Sequence, residues 1–177
     1  MDSTSLTSAQ SSKSSLPETK APPLYCVDTS SFLHAWRRDY PPDVFPTFWD
    51  NLAESANQSL VVSPQEVLLE LERGGDDVYA WARAHPDMFH PPTQPVQDEV
   101  ERIVRRWPEF VPEDSEDGVW ADPYVIALAR VRGAIVVTGE KAVGPGARVP
   151  KIPNICSALG VLCTDLLGLI RANGWHF

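Results

Sequence analysis

Four acidic residues, Asp28, Glu70, Asp122 and Glu140, stand where the apolar pattern of the chain passes from one element to the next. Asp28 follows the apolar run Leu24-Tyr25-Cys26-Val27, and Glu70 lies on the helix expected after Leu60-Val61-Val62. Asp122 opens a strongly apolar segment, and Glu140 comes two residues beyond Thr138, at the end of Ala134-Ile135-Val136-Val137-Thr138. Carboxylates gathered in one place repel one another, and protonation or a cation relieves the repulsion. Mg2+ or Mn2+ suits such a set, because these hard ions prefer oxygen ligands, use few carboxylates and keep positions for water and phosphate oxygens. An ion so held lowers the pKa of a bound water, orients it for in-line attack on phosphorus and stabilises the leaving oxygen. That chemistry requires no nucleophilic side chain.

Each of these carboxylates also has a purely structural reading. Asp28 is placed to cap the helix after it, Asp122 to act as an N-cap with Pro123 at the first helical position, and Glu70 to sit on a solvated face. Glu66 is a useful contrast. In Ser63-Pro64-Gln65-Glu66 it completes a capping box, with Ser63 as N-cap, whereas Glu70 one turn later has no such duty. The chemistry is therefore assigned to Glu70, with Glu66 in reserve on the same helical face.

Other catalytic schemes lack their residues. The chain has no G-x-S-x-G elbow, P-loop, H-E-x-x-H pair or early G-x-G-x-x-G. An aspartyl-phosphate enzyme wants a second Asp two residues after Asp28, and that position is Ser30. His34, His85, His90 and His176 are scattered without ligand spacing. Cys26, Cys156 and Cys163 form no C-x-x-C pair, and their apolar surroundings predict plain core packing in a reducing compartment. Trp36, Trp49, Trp81 and Trp107 fall on apolar helical faces and read as core.

The elements that must position the carboxylates follow from periodicity. Strands are expected at 24–27, 60–62, 134–138 and 161–163. Helices are expected after Asp28, after Asp43 with Pro46 in the first turn, from Pro64 to Gly74, and over 77–84, 96–107, 122–133, 153–159 and 165–172. Short, continuously apolar strands separated by helices predict an α/β fold: a three-layer α/β/α sandwich with a central, mostly parallel sheet. Ligands gather at the carboxyl ends of such strands, the edge where Asp28, Glu70, Asp122 and Glu140 would meet. Residues 1–23 are rich in Ser, Thr, Ala, Pro and Lys and read as a disordered tail, leaving 24–177 as one domain. An acidic loop containing Glu109, Glu113, Asp114, Glu116 and Asp117 lies between Trp107 and Asp122, and Glu116 or Asp117 is a further candidate ligand.

The 177 residues carry 15 Lys and Arg against 24 Asp and Glu, a net charge of -9. Binding of nucleic acid or anionic membrane through bulk positive charge is excluded, while a local basic patch is not. Candidate phosphate contacts are Arg37 and Arg38, the cluster Arg102, Arg105 and Arg106, and Lys141, Arg148 and Lys151 in the loop after Glu140. No apolar stretch reaches membrane-spanning length and no signal-peptide core opens the sequence, so a soluble cytoplasmic protein is expected.

The segments YCVDTSSF around Asp28, SPQEVLLELERG around Glu70, ADPYVIALA around Asp122 and IVVTGEK around Glu140 occur in the order found in the PIN-domain ribonucleases. From Leu24 to Phe177 the chain resembles that family, including the VapC-like toxins of toxin-antitoxin pairs, and looks most like a PIN-like subgroup of similar length. The resemblance implies a PIN-like domain with metal-dependent endoribonuclease activity that leaves a 5′-phosphate and a 3′-hydroxyl. Asp28, Glu70, Asp122 and Glu140 would be the Mg2+ or Mn2+ carboxylates. Thr138 would match the hydroxyl residue that often precedes the last acidic position, which in the family is commonly Asp rather than Glu. An RNA substrate, a DNA-binding antitoxin partner and a homodimer are further implications. The alternatives are a PIN-like binding module without catalysis and a metal-dependent phosphohydrolase of small phosphate esters.

Overall fold

The computed structural model describes residues 21–74, 77–112 and 120–177. The expected tail up to residue 20 and the acidic loop residues Glu113, Asp114, Glu116 and Asp117 lie outside them. Five strands, β1 (Tyr25–Val27), β2 (Val61–Pro64), β3 (Phe89–His90), β4 (Ile135–Val137) and β5 (Cys163–Thr164), form one sheet in the order β3-β2-β1-β4-β5, every pair parallel. Among the described residues, eight α-helices connect them: α1 (Thr29–His34), α2 (Pro46–Asn57), α3 (Gln65–Gly74), α4 (Asp77–Ala84), α5 (Gln94–Arg106), α6 (Asp122–Arg132), α7 (Ile152–Leu159) and α8 (Leu166–Ala172). The result is the expected three-layer α/β/α sandwich. Its order reverses at β1, because the chain first builds outward to β3 and then crosses back to place β4 on the other side of β1. Such a reversal opens a crevice at the carboxyl ends of the two strands involved.

Tyr25, Cys26 and Val27 are almost wholly buried, as are Val136 and Val137 beside them, which is why these strands are apolar on both faces. Helix α6 packs against β1, β2 and β4 and also against α5 and α7. Its Val125 to Ala129 stretch is fully apolar and buried, and Gly133 ends it with φ 67°, a left-handed backbone that favours glycine. Glu99 of α5, only 4% exposed, is held by Arg130 of α6 at 2.6 Å and by Arg102 at 2.9 Å, an ion-pair clamp between the two helices. A web of rings consolidates the other region of the core. Trp49 packs edge-on against Trp36 at 4.7 Å and Trp81 at 4.8 Å, and Tyr40 stacks on Phe48 at 4.7 Å.

Three sequence expectations are corrected. Ser63 and Pro64 do not start α3. They extend β2, where Ser63 donates its hydroxyl to the Val27 carbonyl at 2.8 Å, so the capping box does not form. Strand β5 begins at Cys163 rather than Val161, and Leu162 just before it is 68% exposed. Cys163 is itself exposed, unlike buried Cys26 and Cys156. Strand β3, two residues long at the sheet edge, was not expected.

Candidate carboxylate site at the sheet edge

Asp28 leaves the end of β1 and is the N-cap of α1. It is 2% exposed, and its Oδ2 accepts hydrogen bonds from the Ser30 hydroxyl at 2.5 Å, the Ser30 amide at 3.3 Å and the Thr138 hydroxyl at 2.8 Å. Thr138, just beyond β4, is equally buried and also accepts the Glu140 amide at 3.1 Å. The ends of β1 and β4 are thereby tied across the switch point. Gly139 lies in this turn with its amide on the Ser30 hydroxyl at 3.0 Å, and a Cβ there would come within 2.2 Å of the His34 ring. A side chain at 139 would force the His34 ring to move.

Glu70 of α3 bridges the other two elements. One oxygen accepts the hydroxyl of Thr29, the neighbour of Asp28, at 2.5 Å, and the other accepts the amide of Ala121, the neighbour of Asp122, at 2.7 Å. Glu70 therefore does have a structural duty, contrary to expectation: its carboxylate caps α6 from another helix. Asp122 is correspondingly not the N-cap. It is the first residue of α6, with Ala121 in the cap position and Pro123 following. The Trp120 indole beside Asp122 favours its charged form, and Trp120 is braced by the Phe110 ring at 4.5 Å.

Glu140 is fastened to α7. Its Oε2 accepts the Ile152 amide at 2.9 Å, and its Oε1 pairs with Lys151 at 3.1 Å. Asn154 of α7 pins the intervening loop, accepting the Val143 amide at 3.0 Å and donating to the Val143 carbonyl at 2.8 Å.

Asp28 and Asp122 feel the charges of the neighbouring carboxylates. Burial pushes Asp28 up to about 6, opposed by the hydrogen bonds from Ser30 and Thr138 and reinforced by the charges of Glu140 and Glu70. Burial also pushes half-buried Asp122 up to about 8, with the charges of Asp28, Glu140 and Glu70 adding to it. The structure thus brings to one edge all four residues that sequence reasoning selects, with Thr138 bonded to Asp28 and to the Glu140 amide. It adds Ser30, Thr29 and Trp120, which that reasoning did not assign. The run of hydroxyls in Asp28-Thr29-Ser30-Ser31, directly after an apolar strand, is the signal that could have found the first two.

Glu66 lies apart from this network. Its Oε2 is buried without a hydrogen-bond partner, and burial raises its pKa. Of the basic candidates, the α5 arginines serve local contacts: Arg102 on Glu99, Arg105 on Glu101 at 3.7 Å, and Arg106 over the Trp107 ring at 4.5 Å. Arg38 pairs with Asp39 at 2.7 Å. Lys141 lines two clefts that flank the Thr138–Glu140 turn. The larger, of about 500 Å³, also includes His34, Arg38, Tyr40 and Gly139. The smaller, of about 240 Å³, includes Thr138, Glu140, Cys163 and Asp165.

The donor chemistry of the site, hard carboxylate and hydroxyl oxygens with unrelieved negative charge, fits Mg2+ or Mn2+. The side chains are not arranged as a finished metal cage: among the described residues, no group of three or more His, Cys, Asp or Glu side chains stands ready to hold an ion. The reason is visible in the bonds above, since Glu70 and Glu140 both spend their oxygens on helix amides and on Thr29 or Lys151.

Fold and site together define a doubly wound α/β protein with a carboxylate cluster at its topological switch point. Residues 25–177 match the family described as Domain of unknown function (DUF4411), and the chain belongs to that family. No curated protein matches the sequence significantly. Two solved structures share partial likeness. FitAcB from Neisseria gonorrhoeae gives a TM-score of 0.48 at 16% identity, covering 80% of this chain and 96% of that one. PAE2754 from Pyrobaculum aerophilum gives 0.41 at 17% identity, covering 86% and 98%. No described helix is long and apolar enough to cross a membrane.

Proposed function

We propose that this chain is a PIN-like, Mg2+- or Mn2+-dependent endoribonuclease, the toxin of a cytoplasmic toxin-antitoxin pair. The observation that carries the reading is the convergence of Asp28, Glu70, Asp122 and Glu140 at the switch-point edge, where burial and mutual repulsion leave Asp28 and Asp122 in want of a cation. The motifs that resemble PIN ribonucleases supply all four. These residues would hold the ion, exchanging part of their present hydrogen bonds for metal contacts. When bound, the metal supplies an activated water and offsets charge developing on the phosphate.

The chain's own groups do the rest. Ser30 and Thr138 hold the Asp28 carboxylate in one orientation, and Glu70 ties the start of α1 to the start of α6. Lys141, facing both clefts, would give an RNA backbone positive charge next to Glu140, which an overall charge of -9 makes necessary. The antitoxin and a homodimer remain partners proposed from the resemblance.

Cleavage of varied single-stranded and structured RNAs with added Mn2+ or Mg2+ tests this, beside Asp28→Asn and a chelator. Activity should fall at least about 100-fold in either control. Cleavage that survives both refutes the metal-carboxylate assignment. The second reading, a binding module without catalysis, is favoured by one observation: Glu70 and Glu140 are already committed as helix caps. Reproducible absence of cleavage with RNA binding intact would select it, and hydrolysis of a generic phosphate monoester in preference to RNA would select a small-ester phosphohydrolase.

A further inference from the structure

Cys156 and Cys163 were expected to be inert packing residues, yet their placement is that of a pair. Cys26 of β1, Val136 of β4 and Cys163 of β5 are register partners across the sheet, so their side chains leave the same face. That face is covered by α6 and α7: Cys26 donates its thiol to the Val125 carbonyl of α6 at 3.5 Å, and α7 packs beside α6 and against β5. On α7 the inward stripe is Ile152, Ile155 and Cys156, which points Cys156 at the sheet. The chain then reverses at Gly160, with φ 69°, and the Val161 amide bonds back to the Cys156 carbonyl at 2.9 Å, returning β5 beneath the helix end. The two side chains are therefore neighbours across the α7–β5 interface, and each shifts the ionisation of the other.

They differ in access. Cys156 is buried, whereas Cys163 is exposed on the outermost strand and opens into the cleft that also holds Thr138 and Glu140. The neighbouring Cys156 thiol lowers the Cys163 thiol pKa, while the Cys163 thiol together with burial raises that of Cys156. This is the division of labour of an attacking and a resolving cysteine.

We infer that Cys156 and Cys163 form a redox-active dithiol, with Cys163 the attacking and Cys156 the resolving thiol, that exchanges with small-molecule disulfides of the glutathione class. The Cys163 thiolate attacks one sulfur of the oxidised reagent, the disulfide bond of the reagent breaks, and one reagent thiolate leaves. Cys156 then gives its proton to solvent and attacks the Cys163 sulfur, forming the Cys156–Cys163 bond and expelling the second reagent thiolate. Two protein thiols and one reagent disulfide become one protein disulfide and two reagent thiols. The bond staples α7, whose first residue holds Glu140, to the edge strand beside the carboxylate site. The inference stands independently of the nuclease reading.

The test is incubation of the full chain with oxidised glutathione at pH 8, acid quench, alkylation of remaining thiols and intact and peptide mass spectrometry. The expected product is a chain two hydrogens lighter, with a single Cys156–Cys163 linkage and Cys26 alkylated. Cys163→Ser should take up no glutathione, and Cys156→Ser should stop at one glutathione adduct on Cys163. A wild-type chain that stays fully reduced, keeps a lasting glutathione adduct, or links Cys26 overturns the inference. Because the wild type alone decides it, misfolding of a variant does not rescue the proposal.

Discussion

Replacing Asp122 by Asn should make the metal-free protein less sensitive to alkaline pH. Asp122 is pushed from an ordinary 3.8 to about 8 in the folded chain. Between those values the folded state binds a proton that the unfolded state has released, so stability falls as pH rises. The contribution is fully present below the unfolded value and is lost as pH climbs through the folded one. One such proton is worth about 1.4 kcal/mol per pH unit. Asp28, raised from 3.8 to about 6, adds a second proton at the lower end. From pH 6 to 8 Asp122 acts alone of the two, and allowing for its partial exposure the wild type should lose about 1–3 kcal/mol relative to Asp122→Asn. The assay is urea unfolding in chelator at pH 5, 6, 7 and 8, followed through the six tryptophans. Groups common to both proteins cancel in the difference. Saturating Mn2+ at pH 8 should restore the wild type, by about 2.7 kcal/mol at one hundred times the dissociation constant, and should help the Asn variant less. A wild-type-minus-variant difference that is flat with pH, or that favours the wild type as pH rises, would refute the electrostatic account of the site.

Glu70→Ala should cost about 1–3 kcal/mol in chelator, because it uncaps α6 at Ala121 and strands the Thr29 hydroxyl, while Glu70→Gln, which keeps the acceptor for Ala121, should recover at least half of that by the same urea midpoints. Arg130→Met should destabilise by about 1.5–3 kcal/mol, since Glu99 is 4% exposed and keeps only the largely exposed Arg102 as partner, whereas Arg102→Met should cost under about 1 kcal/mol; thermal melts of the two variants side by side decide it.

What sequence reasoning reads well here is what local pattern controls. Tyr25 to Val27 and Ile135 to Val137 are legible as strands because burial on both faces demands unbroken apolar residues, and α2 and α6 carry Pro46 and Pro123 near their starts with apolar faces behind. Ser63 to Glu66 is misread for the opposite reason. The residues have capping-box spacing, but pairing of Ser63 and Pro64 with β3 and the bond from Ser63 to Val27 carry the strand two residues further. Strand β3 has no pattern to read: two residues between Pro86 and Pro91 owe their conformation to β2. Cys163 was misplaced with the core because an apolar neighbourhood in sequence, Val161-Leu162, lies at an exposed sheet edge in space.

The site was legible as residues and not as bonds, because a local pattern offers capping and chemistry as rivals and the fold makes them the same thing. In a parallel sheet the helices that follow the strands begin at the carboxyl edge, and their exposed amides and dipoles favour anions there. Asp28 caps the helix after its own strand, while Glu70 reaches a helix start 51 residues away and Glu140 one 12 residues away, pairings no window of sequence contains. These amides and the hydroxyls of Thr29, Ser30 and Thr138 are what allow four carboxylates to share one edge. They do not neutralise them, since Asp28 and Asp122 still hold their protons well above the ordinary carboxylate range. The caps therefore account for where the carboxylates sit, and the charge they leave unrelieved is the part of the site that only protons or a cation can satisfy.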